Sequence, residues 1–312
     1  MSDKHSDFIM LPTVDLCFKE LMNNPKVRKG FIAALLKIPP HKIQKTTLRP
    51  TALRREYGDQ KLGILDVSVL LEDGTRIDLE MQVLSFAHWD ARALFYLGKL
   101  FTEQLQAGDS YAQLKKCIHV SILNFIHIPQ DQEYFHSICL CDRKTGKEYT
   151  DLFELLILEL KKLPAKKEGE DPLLQWLRFL GAKNREELKS MTHDNEYLAE
   201  AFTELDKLSS DEQKRLEYEA RQKALRDYNS LMEDAETRGL EKGMEKGMKK
   251  GLEQGMTKGV SMGQQAALKR IMEHNLSRGR SLQEIADFLG MDLQSVIRLS
   301  QEEENQPIPP KP

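Results

Sequence analysis

Acidic side chains interrupt two apolar runs between residues 63 and 84. The segment over residues 63–83 reads GILDVSVLLEDGTRIDLEMQV, with Asp66 in the first run and Asp78 and Glu80 in the second. An Asp-Gly step separates the runs, and this arrangement is typical of a β-hairpin. The spacing of the carboxylates across this hairpin decides whether they can hold a cation together.

The apolar pattern selects the register of the hairpin. A two-residue loop would pair Val67 with Glu80, an apolar residue with a charged one. A three-residue loop with a left-handed Gly74 instead pairs Val67 with Leu79 and places the apolar side chains on one face. In that register Asp66 lies directly across from Glu80.

Two carboxylates in directly opposed positions imply a specific chemistry. Their Cβ atoms would be about 4.5–5.5 Å apart, so the two groups repel unless one is protonated or a cation lies between them. Sites with carboxylate oxygens suit Mg²⁺ or Mn²⁺. Such an ion can polarise a phosphate and activate water for hydrolysis. The spacing alone leaves open a simpler alternative, an exposed sheet face with scattered acids.

Composition limits the classes of protein to which the chain can belong. The 312 residues are 40% hydrophobic and 30% charged, with a net charge of −3, which suits a soluble globular protein. Any contact with nucleic acid must therefore come from a local basic patch.

The four cysteines lack the spacing of a zinc site or a disulfide framework, and Cys139-Leu140-Cys141 is interpreted as strand packing. No leader-like segment or apolar run of membrane length is present, so we expect a cytoplasmic protein without membrane contact.

Periodicity and turn signals predict the elements that position the hairpin. They are helices over 13–23 and 25–38, an irregular basic stretch over 39–62, the hairpin over about 63–84, a long helix ending at Gly108, and strands in CIHVSILNFIHI and EYFHSICLCD. The run LFELLILELKKL fits a buried strand, although its acidic residues also permit a helix. These elements form the first predicted domain, over residues 1–165.

The composition changes after residue 165. Residues 166–235 are predicted to be a charged helical region with no obvious site. Residues 236–274 carry a glycine at every fourth position, usually followed by Leu or Met. A period of four is close to the 3.6 residues of a helical turn, but each glycine inside a helix costs roughly 1 kcal/mol relative to alanine. Either close packing against another helix compensates for this cost, or the segment is a mobile linker helix.

The end of the chain is predicted to form a small helix-turn-helix over residues 275–304. Ser281 and Glu284 have the spacing of a capping box, and Gly290 would end the first of the two helices. This unit can contact either DNA or protein. The remaining residues, 305–312, are predicted to be a disordered tail.

The hairpin motif resembles that of the PD-(D/E)XK nuclease superfamily, in which an Asp on one strand faces Glu-X-Lys on the next. Within that superfamily the chain resembles the Rpn family of bacterial recombination-promoting nucleases, which are also described as transposase-like. The segments that carry this resemblance are DLCFKELM, ILDVSVLLEDGTRIDLEMQV, ARALFYLGKLFTEQLQAGDSYAQLKKCIHVSILNF, the glycine repeat and EIADFLGM. The similarity is close over residues 10–165 and looser in the repeat.

This resemblance implies an α/β fold of the restriction-endonuclease type, with a mixed central sheet flanked by helices and a helical C-terminal extension. It implies that Asp66 and Glu80 bind the metal ion, with the backbone carbonyl of Met81 as a further ligand. Gln82 occupies the position of the usual lysine and would orient water or phosphate. Because Gln is neutral, Lys19 or Lys61 is expected to supply the missing positive charge.

The resemblance also implies a DNA substrate. The residues expected to contact DNA phosphates are Lys19, Arg54, Arg55, Lys61, Arg92 and Tyr96, although salt-bridging and core packing are an equal alternative for Arg92 and Tyr96. The implied activity is Mg²⁺-dependent endonucleolytic cleavage in the bacterial cytoplasm, linked to recombination and transposition, with Mn²⁺ as a substitute ion. The glycine repeat itself predicts self-association through the C-terminal repeat, most simply as a homodimer. The alternative is a weakly catalytic DNA-binding or regulatory protein that keeps the nuclease fold.

Overall fold

The structure is a computed structural model that describes residues 8–51 and 65–301. Within these ranges the chain forms six strands and nine α-helices. The strands are β1 (Thr46–Arg49), β2 (Val67–Leu71), β3 (Arg76–Gln82), β4 (Cys117–Leu123), β5 (Phe135–Cys141) and β6 (Glu148–Glu159). The helices are α1 (Asp15–Asn23), α2 (Pro25–Leu35), α3 (Trp89–Thr102), α4 (Pro172–Leu180), α5 (Arg185–Ser190), α6 (Glu196–Ser210), α7 (Glu212–Ser277), α8 (Leu282–Leu289) and α9 (Leu293–Gln301). The tail predicted over 305–312 lies outside the described residues.

The strands form one mixed sheet in the order β1-β2-β3-β4-β6-β5. The pairs β3–β4 and β4–β6 are parallel, and the other neighbouring pairs are antiparallel. A mixed central sheet with flanking helices and a helical C-terminal extension confirms the fold class expected from the sequence.

The β2–β3 hairpin has the register that the apolar pattern predicts. Val67 lies opposite Leu79, as the three-residue loop requires. The loop closes with a 2.9 Å hydrogen bond from the Leu71 amide to the Thr75 carbonyl. Gly74 within it has a φ of 90°, a conformation that glycine adopts at little cost because it has no Cβ.

Helices cover both faces of the sheet. On one face α1, α2, α4 and α6 form the larger apolar core with β3 and β4; its members include Phe18, Phe31, Ile77, Leu79, Val120, Trp176 and Leu205. On the other face Trp89 and Leu97 of α3 pack with Leu155 and Ile157 of β6. Since side chains alternate along a strand, the acidic residues of β3 face the α3 side.

Three elements differ from the predictions: α2 ends at Leu35 rather than at residue 38, the stretch over 39–62 contains a strand, and α3 ends before Gly108. The stretch over 39–62 contains β1, whose sequence TTLR has only one apolar residue because the strand lies at the sheet edge. The helix α3 ends at Thr102 rather than at Gly108. There the side chain of Gln104 donates a hydrogen bond to the Lys115 carbonyl and accepts one from the Lys115 amide, both at 2.9 Å. These bonds to a distant part of the chain take the place of a further helical turn. The ambiguous run LFELLILELKKL lies largely within the strand β6.

The apolar core extends past the predicted boundary at residue 165. The ring of Trp176 in α4 packs edge-to-face on Phe31 of α2, with centroids 5.6 Å apart. The chain divides into two compact units, Met1–Arg226 and Asp227–Pro312. The helices α4, α5 and α6 therefore share the apolar core of the sheet.

The second unit has a small core of its own, in which Met272, Ile285, Ala286 and Val296 are buried. Ser281 and Glu284 form the predicted capping box at the start of α8. The glycine repeat lies within α7, so its helical conformation is as expected. No helix in the described ranges has both the length and the apolar character needed to cross a bilayer.

Candidate active site

The Asp66 and Glu80 carboxyl groups lie at the junction of β2 and β3. Asp66 immediately precedes β2, one residue before the pair formed by Val67 and Leu79, and its negative charge contributes to the raised pKa of Glu80. The Asp66 carboxylate accepts a 3.3 Å hydrogen bond from the backbone amide of Met81, which joins the two strands beyond the end of the ladder. The Glu80 side chain is 3% exposed, whereas that of Asp66 is 19% exposed.

Each of these carboxylates has a basic partner. Lys19 on α1 places its Nζ 3.0 Å from Asp66 Oδ1. Arg92 on α3 places a guanidinium nitrogen 3.6 Å from Glu80 Oε2, and the amide of Gln82 donates to the same oxygen at 3.4 Å. One basic side chain from α1 and one from α3 therefore lie against the two carboxylates.

Aromatic rings hold Arg92 in place. Its guanidinium carbon lies 5.0 Å from the ring centroid of Tyr96 and 5.3 Å from that of Phe86. Tyr96 is one helical turn from Arg92 and is only 8% exposed, so its ring supports the guanidinium from within the core. Arg92 itself keeps a third of its side chain exposed and remains accessible to a ligand.

A buried polar row lies next to Glu80 on the same face. In the parallel β3–β4 ladder, Asp78 pairs with His119 and Glu80 with Ser121. Asp78 Oδ2 is 2.6 Å from His119 Nδ1, and Ser121 Oγ is 2.9 Å from His119 Nε2. Asp78, His119 and Ser121 are completely buried, so the row supports the site from beneath and offers no surface to a substrate.

Sequence reasoning did not identify His119 and Ser121 as part of the site. The signal was present, because these two polar residues alternate within the apolar run CIHVSIL. Recognising their role requires knowing that β4 lies parallel to β3 and next to it, a long-range pairing that no local pattern reveals.

Burial and neighbouring charges shift the pKa values of these groups. Burial and the neighbouring Asp78 carboxyl raise the pKa of Glu80 to about 7. Burial alone would lower the pKa of His119, but the charge and hydrogen bond of Asp78 outweigh burial and raise that pKa. Perturbed carboxyl pKa values beside basic groups are common at functional sites.

The oxygen atoms of the site can be compared with the ligands that a divalent cation binds in proteins. Glu80 Oε1 is buried and has no hydrogen-bond partner among the described residues, so one carboxylate oxygen is available to a further ligand. The described ranges contain no group of three or more His, Cys, Asp or Glu side chains that could hold an ion. Mg²⁺ usually keeps several waters and binds through one or two carboxylates and substrate phosphates, so a pair of carboxylates is within the range of ligand sets that this ion uses.

Other residues expected to contact DNA are only partly placed by the structure. Arg54, Arg55 and Lys61 lie outside the described residues. Lys19 and Arg92 both lie at the carboxylate pair. The structure thus brings together the basic residues of α1 and α3 that the sequence separates by more than seventy positions.

The raised pKa of Glu80 predicts how stability depends on pH. Its value of about 7 in the folded protein is above the ordinary 4.5, so the folded state binds this proton more tightly than the unfolded state. This contribution to stability is complete below pH 4.5 and is lost as the pH rises towards 7. The Glu80→Gln variant cannot ionise, and above pH 7 we expect it to be more stable than the wild type by at most about 3 kcal/mol.

Urea unfolding in EDTA at pH 5 and pH 8 measures this effect. The matched control is Glu148→Gln, which removes an exposed carboxylate of β6. If the free energy of unfolding changes by the same amount between pH 5 and pH 8 in Glu80→Gln and in Glu148→Gln, the pH dependence assigned to Glu80 is wrong.

Comparison with known proteins agrees with this geometry. The model of the PD-(D/E)XK nuclease family transposases matches residues 12–235, a range that includes α1, the whole sheet, α3 and the carboxylate pair. No curated protein and no solved structure shows significant similarity to the chain. The family match covers well over half of the sequence and confirms the resemblance seen in the hairpin motif. The chain therefore belongs to the PD-(D/E)XK nuclease family transposases.

Proposed function

We propose that this protein is a divalent-cation-dependent DNA endonuclease that hydrolyses phosphodiester bonds at the Asp66–Glu80 pair and acts in recombination or transposition. The observation that carries the proposal is the pairing of these two carboxylates, each beside a basic side chain, in a family of nucleases. Asp66 and Glu80 would hold Mg²⁺, with the Met81 carbonyl as a further ligand. When bound, the ion supplies Lewis acidity at the phosphate and lowers the pKa of a bound water.

The basic residues have separate roles in this proposal. Lys19 lies against Asp66 and would move to a phosphate oxygen when the ion neutralises that carboxylate. Arg92 would likewise leave Glu80 for a phosphate oxygen, since its stacking on Tyr96 keeps the guanidinium at the edge of the site. Gln82 would orient the attacking water or the phosphate through its amide.

Relaxation of supercoiled plasmid by purified protein tests the proposal. We expect nicked and linear products with Mg²⁺ or Mn²⁺ and none with EDTA. Binding should weaken as salt increases, because contacts with phosphate release counterions. Salt-dependent binding without cleavage under every metal condition would instead favour the alternative of a DNA-binding protein that keeps the nuclease fold.

Lys19 is proposed to replace the lysine that Gln82 displaces from the motif. We expect Lys19→Ala to lower the cleavage rate about 10²-fold, in the range found when one charge-stabilising donor is removed from a transition state. Gln82→Lys should restore much of that rate in the Lys19→Ala background, because it returns a positive charge to the same carboxylate pair.

Single-turnover cleavage rates of Lys19→Ala and of Lys19→Ala/Gln82→Lys measure this exchange. Lys26→Ala is the matched control, since Lys26 pairs with Glu196 on the neighbouring helix rather than with the carboxylates of the site. Equal rates for Lys19→Ala with and without Gln82→Lys would show that the two positions do not share a role.

The glycine repeat is proposed to mediate self-association. Its apolar residues are 59–76% exposed along α7, namely Leu240, Met244, Met248, Leu252, Met256 and Val260. A Cβ added at any glycine from Gly239 to Gly263 would meet no atom within 4 Å, so a second helix can approach closely. A homodimer is the simplest arrangement, because symmetric pairs are the commonest assemblies.

Analytical ultracentrifugation of the full chain and of a 1–235 truncation tests the dimer. We expect the full chain to sediment as a dimer at micromolar concentrations and the truncation as a monomer. A monomeric full chain at these concentrations would favour the other interpretation of the repeat, a solvated tether.

A further inference from the structure

A pair of thiols lies at the opposite edge of the sheet from β1. Cys139 and Cys141 belong to β5, the terminal strand of the sheet. Residues two apart in a strand project to the same side, and here the two Sγ atoms are 3.3 Å apart. A disulfide bond is about 2.05 Å long, so the sulfur atoms need to approach by only about 1.2 Å to form one.

These two cysteines are the accessible ones. Cys141 is exposed and Cys139 is partly exposed. Cys17 and Cys117 are completely buried, and burial raises the pKa of each of their thiols to about 12. A reagent in solution therefore meets the β5 thiols and not the other two.

The backbone around the pair is irregular. Cys139 pairs with Glu154, but Leu140 pairs with Thr150 and Cys141 with Glu148, so the β5–β6 register shifts twice within three residues. A tight turn follows directly, closed by the hydrogen bond from the Asp142 amide to the Lys147 carbonyl at 2.8 Å. The pairing of β5 is already irregular here, and the strand has a neighbour in the sheet on one side only. Its backbone can therefore adjust to the small ring that a disulfide between residues 139 and 141 would close.

We propose that Cys139 and Cys141 form a reversible redox site that low-molecular-weight disulfides convert to an intrastrand disulfide. One cysteine thiolate attacks a sulfur of the small disulfide, forms a mixed disulfide and releases one small thiolate. The second cysteine, as its thiolate, then attacks the protein sulfur of the mixed disulfide and releases the second small thiolate. The protein loses two hydrogen atoms, and the small disulfide is reduced to two thiols.

The proximity of the second thiol decides the product. An oriented neighbour at van der Waals distance reacts far faster than a second molecule from solution, so the mixed disulfide does not accumulate. The thiol contact with Cys141, burial and the negative charges of Glu148 and Glu154 raise the pKa of Cys139. The first attack is therefore slow at neutral pH and accelerates as the pH rises, because the thiolate is the nucleophile.

Intact-mass spectrometry of the full chain treated with glutathione disulfide at pH 8 tests this proposal. We expect the wild type to lose two hydrogen atoms without retaining glutathione, and fragmentation to place the link between Cys139 and Cys141. Dithiothreitol should restore the original mass. Cys139→Ser and Cys141→Ser should each retain one glutathione instead, whereas Cys17→Ser should close the disulfide as the wild type does.

Three results would overturn the proposal. They are stable addition of glutathione to the wild type, disulfide-linked dimers on a non-reducing gel, and no reaction by native protein that reacts fully in denaturant. The outcome does not depend on nuclease activity, so it is independent of the proposed function. Circular dichroism of each serine variant separates a lost thiol from a lost fold.

Discussion

Asp66→Asn and Glu80→Gln are each expected to lower Mg²⁺-dependent plasmid cleavage by about 10³-fold, which corresponds to about 4 kcal/mol of transition-state stabilisation. Each substitution keeps the size of the side chain but removes one of the two carboxylates proposed to bind the ion. The remaining carboxylate would not by itself fix the position of the ion. Lys19 and Arg92, which lie against these carboxylates, cannot supply the acidified water that the ion would provide.

The chain offers a matched control for the loss of one carboxylate. Asp90 lies on α3 with its side chain 74% exposed and hydrogen-bonded to His127. Asp90→Asn makes the same change in charge and should leave the cleavage rate within about twofold of wild type, since exposed pairs contribute little. Unchanged nicking by both Asp66→Asn and Glu80→Gln would remove the pair from the mechanism.

The second large effect is on stability and concerns the buried row beneath the site. Asp78→Ala is expected to lower the free energy of unfolding by about 3–5 kcal/mol, the usual cost of removing one partner from a buried ion pair. His119 would then be buried without the carboxylate that now lies 2.6 Å from its Nδ1. Urea unfolding at pH 7 measures the change.

Asp90→Ala is the exposed counterpart of this experiment, because Asp90 and His127 form a similar pair at 2.8 Å on the surface. Its loss should cost less than about 1 kcal/mol. The double variant Asp78→Ala/His119→Leu should recover part of the stability, since an apolar side chain suits the vacated site better than an unpaired imidazole. Equal costs for Asp78→Ala and Asp90→Ala would contradict the importance assigned to the buried row.

The hairpin and its carboxylates were predictable because local signals determine them. The alternation of apolar residues and the glycine turn fix the register over a few residues, and the register sets Val67 opposite Leu79, the residues next to Asp66 and Glu80. The apolar run of β4 was similarly clear, because strands buried on both faces in a parallel sheet are nearly all apolar.

The rest of the site depends on contacts between distant parts of the chain. Nothing local to α1 or α3 indicates that Lys19 and Arg92 lie on the two members of the carboxylate pair. The role of His119 depends on the β3–β4 pairing, and β1 has too few apolar residues for its sequence to signal a strand. These features depend on how the strands pair and where α1 and α3 pack, which periodicity does not encode.

The most direct test of the account is the position of a divalent ion in crystals of the wild-type protein grown with Mn²⁺. Anomalous scattering identifies Mn²⁺ without reference to activity or to any variant. We expect the strongest anomalous peak between the Asp66 and Glu80 carboxylates, within coordination distance of both, with Lys19 turned away from Asp66. A strongest peak elsewhere on the chain, or no peak at saturating Mn²⁺, would contradict the central claim that these two carboxylates form the metal site.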